Sequence, residues 1–69
     1  MRLSQVRKKG NYEIAQILPS VFTHRLLSFG FTKGNKVAFT GMIVHDYHYV
    51  VLEDKLLAVP NAWCTKVVV

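Results

Sequence analysis

Apolar positions along the chain follow two different periods. From Tyr12 to Leu18, Y-E-I-A-Q-I-L, a period of two sets Tyr12, Ile14, Gln16 and Leu18 on one face and Glu13, Ala15 and Ile17 on the other. Apolar residues on both faces are what a strand crossing a closed small barrel carries. Pro19 ends this first strand, and the period then changes. Phe22, Leu26 and Phe29 stand at i, i+4 and i+7, one face of a helix, with Leu27 beside them. Ser20 precedes them as an N-cap, its hydroxyl set to accept a backbone N–H of the first turn. Gly30 stands where the helix must stop, because the C′ position needs φ > 0 and glycine reaches it without a Cβ clash. Phe31 then falls where a Schellman motif returns a hydrophobic contact to Leu26. Lys33-Gly34 reads as a type II turn with Gly34 at the position requiring φ > 0.

The second half reverts to period two. Lys36–Val44 is a second strand with Val37, Phe39 and Ile43 toward the core, and Gly41 on the same parity marks a bulge or bend. His45-Asp46-Tyr47-His48 is polar and predicts a loop. Tyr49–Leu52 is a third strand. Glu53-Asp54-Lys55 is a tight turn in which Asp54 tolerates αL. Leu56–Val59 is a fourth strand, stopped by Pro60. Asn61 caps one 3₁₀ turn at Ala62–Cys64, and Lys66–Val69 is a closing strand. At the other end, Leu3–Val6 forms a single helical turn stopped by Gly10. The pattern predicts one mainly-β domain over residues 1–69, a five-stranded barrel with one short α-helix after the first strand. No repeat or linker interrupts it.

Composition narrows what such a domain can be. Sixty-nine residues support one modest core, and a single cysteine, Cys64, allows no internal disulfide. A lone thiol fits a reducing compartment. The hydrophobic share of 51% and mean hydropathy of +0.20 exceed what so small a core can bury, which predicts an apolar contact surface. No apolar run is long enough for a membrane span and the N-terminus has no apolar signal core, so a cytoplasmic location is expected. Net charge is +5. Arg2, Arg7, Lys8 and Lys9 crowd the first nine positions, while Asp46, Glu53 and Asp54 lie close together. Such a basic end suits an acidic partner face, nucleic acid or anionic lipid, or serves solubility alone.

Candidate chemistry is sparse. His45 and His48 have the H-x-x-H spacing, with Asp46 between them. In a strand, i and i+3 face opposite ways, so a solvated loop is the stronger reading than a zinc site. His24 lies off the helical stripe and reads as a surface residue. Cys64 would be reactive only in an electropositive site. No catalytic set or metal-ligand set appears, and Lys33-Gly34-Asn35-Lys36 lacks the long glycine-rich loop of a nucleotide site. The chain reads as a binding module, not an enzyme, with no cofactor. Trp63 reads as core or barrel lid, and Tyr47 as an exposed aromatic.

The run H-R-L-L-S-F-G-F-T-K-G-N-K-V, residues 24–37, resembles the R-L-x-x-L-G-apolar-x-x-G-x-x-V segment of the FeoA family. Arg25, Leu26, Gly30, Phe31, Gly34 and Val37 fall on the pattern, and Phe29 replaces the usual leucine. The ending L-A-V-P-N-A-W-C-T-K-V-V-V is also similar, with Cys64 at an alanine position and Val67 and Val69 as the final apolar pair. Pro60 stands where an arginine is usual. The resemblance covers nearly the whole chain. It implies an SH3-like barrel that serves as a cytosolic accessory of the FeoB ferrous iron transporter, docking on that transporter's GTPase part, with no iron site of its own. Two other readings compete. K-G-N-K-V-A-F-T-G loosely resembles the KOW turn of nucleic-acid-binding SH3-like modules, although the basic residues are not interleaved with aromatics. SH3-like domains of iron-dependent repressors follow a helix-turn-helix domain, which is not expected here.

Excess apolar content beside a helix–turn unit flanked by cations predicts the partner surface. Arg25, Lys33 and Tyr47 are its expected contact residues. Gly30 and Gly34 are its structural turn residues.

Overall fold

The computed structural model describes residues 1–69. After a 3₁₀ turn at Leu3–Gln5 the elements are β1 (Gly10–Glu13), β2 (Gln16–Ile17), α1 (Thr23–Phe29), β3 (Lys36–Val44), β4 (Tyr47–Leu52), β5 (Lys55–Pro60), α2 (Asn61–Cys64) and β6 (Val67–Val68). The fold is mainly β, as expected. There are six strands instead of five, and they form two sheets that do not join into a closed ladder. One sheet has the order β1-β3-β4-β5, and the other pairs β2 with β6.

The extra strand arises because the expected first strand, Tyr12–Leu18, is broken in the middle. The N–H of Ile14 donates to the Asn35 carbonyl at 2.8 Å, whereas that of Ala15 donates to the Val68 carbonyl at 2.7 Å. The segment therefore leaves one sheet and enters the other across two residues, which is why both of its parities carry apolar side chains. Gly10 does not stop the N-terminal turn, which ends at Gln5; it opens β1.

β3 and β4 pair with a register shift between Phe39 and Ile43. Gly41, with φ 88°, lies in it. Thr40 satisfies the interruption, its hydroxyl donating to the Tyr49 carbonyl at 2.7 Å and accepting the Met42 N–H at 3.2 Å. The bend expected at Gly41 is present. Ile43, expected in the core, is 37% exposed near the hairpin end. A single cluster of twelve buried residues forms the core, with Phe31, Phe39, Ile14 and Leu26 among its largest members. The chain ends meet: the Val69 N–H donates to the Met1 carbonyl at 2.7 Å, and the Met1 amino group to the Val69 carbonyl at 3.3 Å.

Candidate functional site

The helix–glycine–turn unit is built as the sequence predicts, except at its start. α1 begins at Thr23, with Phe22 at the cap position and no side-chain cap bond. Ser20 organises the preceding turn instead: its hydroxyl accepts the Phe22 N–H at 3.0 Å, and Thr23 Oγ1 accepts the Ser20 N–H at 2.9 Å. At the other end Gly30 has φ 103°. The Gly30 N–H donates to the Leu27 carbonyl and the Phe31 N–H to the Leu26 carbonyl, each at 3.0 Å. These are the two bonds of a Schellman motif. Its hydrophobic partners, Leu26 and Phe31, are both fully buried. Gly34 has φ 89°, and the Asn35 N–H closes the turn on the Thr32 carbonyl at 3.0 Å.

Two residues overlooked in the sequence hold this turn. Asn35 Nδ2 donates to the Gly30 carbonyl at 2.8 Å and to Glu53 Oε2 at 3.3 Å. Glu53 comes from the β4–β5 hairpin, where Glu53 (φ 51°) and Asp54 (φ 63°) both adopt positive φ. Two such residues make a type I′ hairpin. Its carboxylate lies so close over Gly30 that a Cβ there would stand 2.6 Å from Glu53 Oε1.

The expected loop at His45–His48 shrinks to a two-residue turn, His45-Asp46, with His45 at φ 55°. Tyr47 and His48 belong to β4. His48 is 2% exposed, and its Nε2 lies 2.9 Å from Asn61 Oδ1. Nδ1 of the same ring is buried without a hydrogen-bond partner. Asn61 therefore does not cap a turn. It opens the single α-helical turn α2 and spends its side chain on His48. His45 is exposed and His48 buried, so the structure does not bring the H-x-x-H pair together. No group of three or more His, Cys, Asp or Glu side chains that could hold a metal ion occurs.

Cys64, on α2, is fully buried with Sγ 3.8 Å from the Val59 carbonyl. Burial, and then the carboxylate of Asp46, push its thiol up to about 12. A thiol so protonated is no nucleophile at neutral pH.

An apolar groove opens between α1, α2 and the sheet. Phe29, Tyr47, Leu57, Val59, Pro60 and Trp63 line it, with Ala58, and its volume is about 220 Å³. Trp63 is its wall: the ring stacks on Phe22 at 5.5 Å between centroids and tilts against Phe29 at 6.2 Å. Phe29, expected on the buried stripe with Leu26, is 45% exposed. Of the residues expected to meet a partner, Tyr47 lines the groove and is 46% exposed. Arg25 and Lys33 are exposed but do not line it. Arg25 lies one helical turn before Phe29, and Lys33 lies in the turn after α1. Phe29 and Trp63 are the groove residues that sequence reasoning assigned to the interior.

No protein-family profile and no curated protein matches the sequence. Solved structures do match the fold. The iron uptake regulatory protein FeoA superposes with a TM-score of 0.84 over 97% of this chain and 91% of that one, at 16% identity. A FeoA-like protein from Clostridium acetobutylicum superposes with a TM-score of 0.86 over 97% of this chain and 80% of that one, at 16% identity. ScaR, solved with bound Cd²⁺, also contains the fold, with a TM-score of 0.86 at 14% identity, but this chain covers only 33% of it. The chain has the fold of FeoA proteins. That fold also stands within a longer protein of another name.

Proposed function

We propose that this chain is a FeoA-type protein, an SH3-like cytosolic accessory of a ferrous iron transport system. It binds the cytosolic GTPase part of a FeoB-type membrane transporter and catalyses nothing itself. The observation that carries this reading is the near end-to-end agreement with FeoA, covering 97% of this chain and 91% of the other. Arg25, Leu26, Gly30, Phe31, Gly34 and Val37 also fall on the family segment. The half-exposed aromatics of the groove support a protein-binding role, since tyrosine, tryptophan and arginine dominate hot spots. No helix is long and apolar enough to cross a membrane.

The test is capture of the transporter's soluble GTPase domain by wild-type protein and by Arg25→Glu with Tyr47→Ala. Both side chains are exposed, so the variant keeps its circular dichroism spectrum and melting temperature. Capture falls roughly tenfold or more, as loss of hot-spot contacts demands. Full-strength capture by the folded variant removes this surface from the reading, and absence of capture by the wild type removes the reading itself. A basic nucleic-acid module is the alternative. It requires affinity that falls steeply with salt yet remains selective for sequence or structure. Weak, unselective retention abolished by moderate salt is expected instead.

A further inference from the structure

The four acidic residues divide unevenly along the four-stranded sheet. Glu13, Glu53 and Asp54 stand at one end of it, where Glu13 pairs with Lys36 and the β4–β5 turn follows Leu52. The other end holds the outer half of β3. β1 covers β3 only as far as Phe39, so Thr40 to Val44 run on beyond it along the hairpin. Successive side chains of a strand point to opposite faces, and here both faces are open: Met42 is 51%, Ile43 37% and Val44 39% exposed. The basic segment Arg7-Lys8-Lys9, exposed throughout, enters β1 beside this overhang. A Cβ placed on Gly41 would stand 3.5 Å from the Lys9 Cβ. Asp46, the fourth acid, lies in the hairpin turn next to His45, with its carboxylate near enough to α2 to act on the Cys64 thiol. Three cations on the β1 side therefore outweigh one carboxylate on the α2 side.

The shape of the overhang selects among the anionic surfaces that could meet it. A peptide or a second copy would add as a strand, and this edge is blunted against that. The register shift around Gly41 twists it, and the Met42 N–H is already taken by the Thr40 hydroxyl at 3.2 Å. Two copies paired here would also set one basic segment beside the other. A flat protein face covers one side of a strand and leaves the other wet. Single-stranded nucleic acid is held by aromatic stacking among cations, whereas Met42, Ile43 and Val44 are aliphatic. The interfacial layer of a bilayer surrounds an inserted edge on both faces, and its anionic headgroups attract the cations alongside. The net charge of +5 draws the whole chain the same way.

We propose that the outer half of β3, together with Arg7, Lys8 and Lys9, docks this protein on the surface of an anionic lipid bilayer. Met42, Ile43 and Val44 enter the interfacial layer, and the three cations lie among the lipid phosphates. The docking is shallow and reversible, because backbone groups of an uncovered strand edge need water or headgroup partners and find none in hydrocarbon. The inference does not depend on the GTPase-domain reading given above.

The test uses the whole protein and vesicles of phosphatidylcholine, alone or mixed with phosphatidylglycerol in about equal parts, read by co-sedimentation. The protein binds the mixed vesicles, and binds the neutral ones about tenfold or more weakly than these. Lys8→Glu with Lys9→Glu lowers affinity for the mixed vesicles roughly tenfold or more, and Met42→Ser lowers it about threefold. All three side chains are exposed, so both variants keep the wild-type melting temperature. A measurement on the unaltered, isotope-labelled protein locates the surface. On nanodiscs of the mixed lipid carrying a spin-labelled headgroup, the amides of residues 7–9 and 41–44 broaden, and those of Glu53 and Asp54 do not. Each of the following overturns the proposal: no binding at millimolar lipid, equal binding to neutral vesicles, full-strength binding by the folded lysine variant, or broadening confined to α1 and the groove. A soluble aspartate-rich peptide or an RNA that perturbs the same amides and binds tighter than the vesicles also overturns it, because the occupant would then be another macromolecule. Capture of the transporter's GTPase domain is read separately. Vesicle binding without that capture overturns the function proposed above and leaves this surface standing, whereas capture without vesicle binding overturns this surface alone.

Discussion

Leu26 and Phe29 stand three residues apart on one apolar face of α1, and they meet opposite fates. Leu26 is sealed into the core, while Phe29 is 45% exposed at the groove. The difference lies in what the chain does next. After Gly30 it doubles back, drives Phe31 against Leu26, and is locked by Asn35 and by Glu53 from another hairpin. Beside Phe29 the neighbouring wall is Trp63, on a single helical turn, and nothing closes over the two. Spacing on a helix decides which side chains share a face. Capping and long-range turns decide which of them are covered.

Stability measurements sharpen this contrast, and equal effects at the two places would break it. Phe31→Ala is expected to cost about 3–5 kcal/mol in urea unfolding, the range for emptying a buried phenylalanine site. Phe29→Ala is expected to cost about 1 kcal/mol, because much of its ring already meets water. Next in size is Gly30→Val, expected to destabilise by roughly 1–3 kcal/mol, since a β-branched residue enters positive φ poorly. Glu53→Ala in that background returns the part due to crowding against the carboxylate. Gly34→Ala isolates the backbone part, for nothing lies within 4 Å of a Cβ at Gly34, and it is expected to cost about 1 kcal/mol.

The smallest effect distinguishes the two sides of α2, where Trp63 faces the groove and Cys64 the core. Folding raises the Cys64 thiol from its ordinary 9.0 to about 12. The unfolded chain releases that proton first, so the stability contributed by the neutral buried thiol is complete below pH 9 and is lost as pH rises toward 12. Between pH 8 and 10 wild type should lose about 1 kcal/mol more than Cys64→Ala, read from paired unfolding curves. Parallel pH profiles would mean that Cys64 opens to solvent as freely as its neighbour.

These contrasts also explain what the sequence could reveal. Gly30, Gly34, Leu26, Phe31, Val37 and Phe39 were legible because each answers a local demand, a positive φ or a strand parity. The break at Ile14-Ala15 was not, since it depends on Asn35 and Val68, both far along the chain. The turn at His45-Asp46 has neither glycine nor asparagine to announce it, so a strand was read as a loop and the buried His48 as a solvated one. Asn61 looks like a cap in any local reading, and only the hairpin folded beside it recruits its side chain. The groove depended on the same kind of information. Phe29 and Trp63 have interior chemistry, and only the arrangement of α1 against α2 leaves them open.

The meeting of Met1 and Val69 has a topological consequence. Backbone bonds at the two ends make the chain a ring interrupted at one peptide link. Anything joined before the first residue or after the last departs from the same corner of the molecule, and a short linker across that corner would permit circular permutants opened elsewhere. The hairpin tip at Glu53-Asp54 is the costly place to cut, because Glu53 Oε2 accepts from Asn35, whose side chain binds the Gly30 carbonyl. The exposed tip at His45-Asp46 also carries a load, since the Asp46 carbonyl accepts the first N–H of α2 at 2.7 Å. The tolerant opening is Pro19, exposed between the second sheet and the helix.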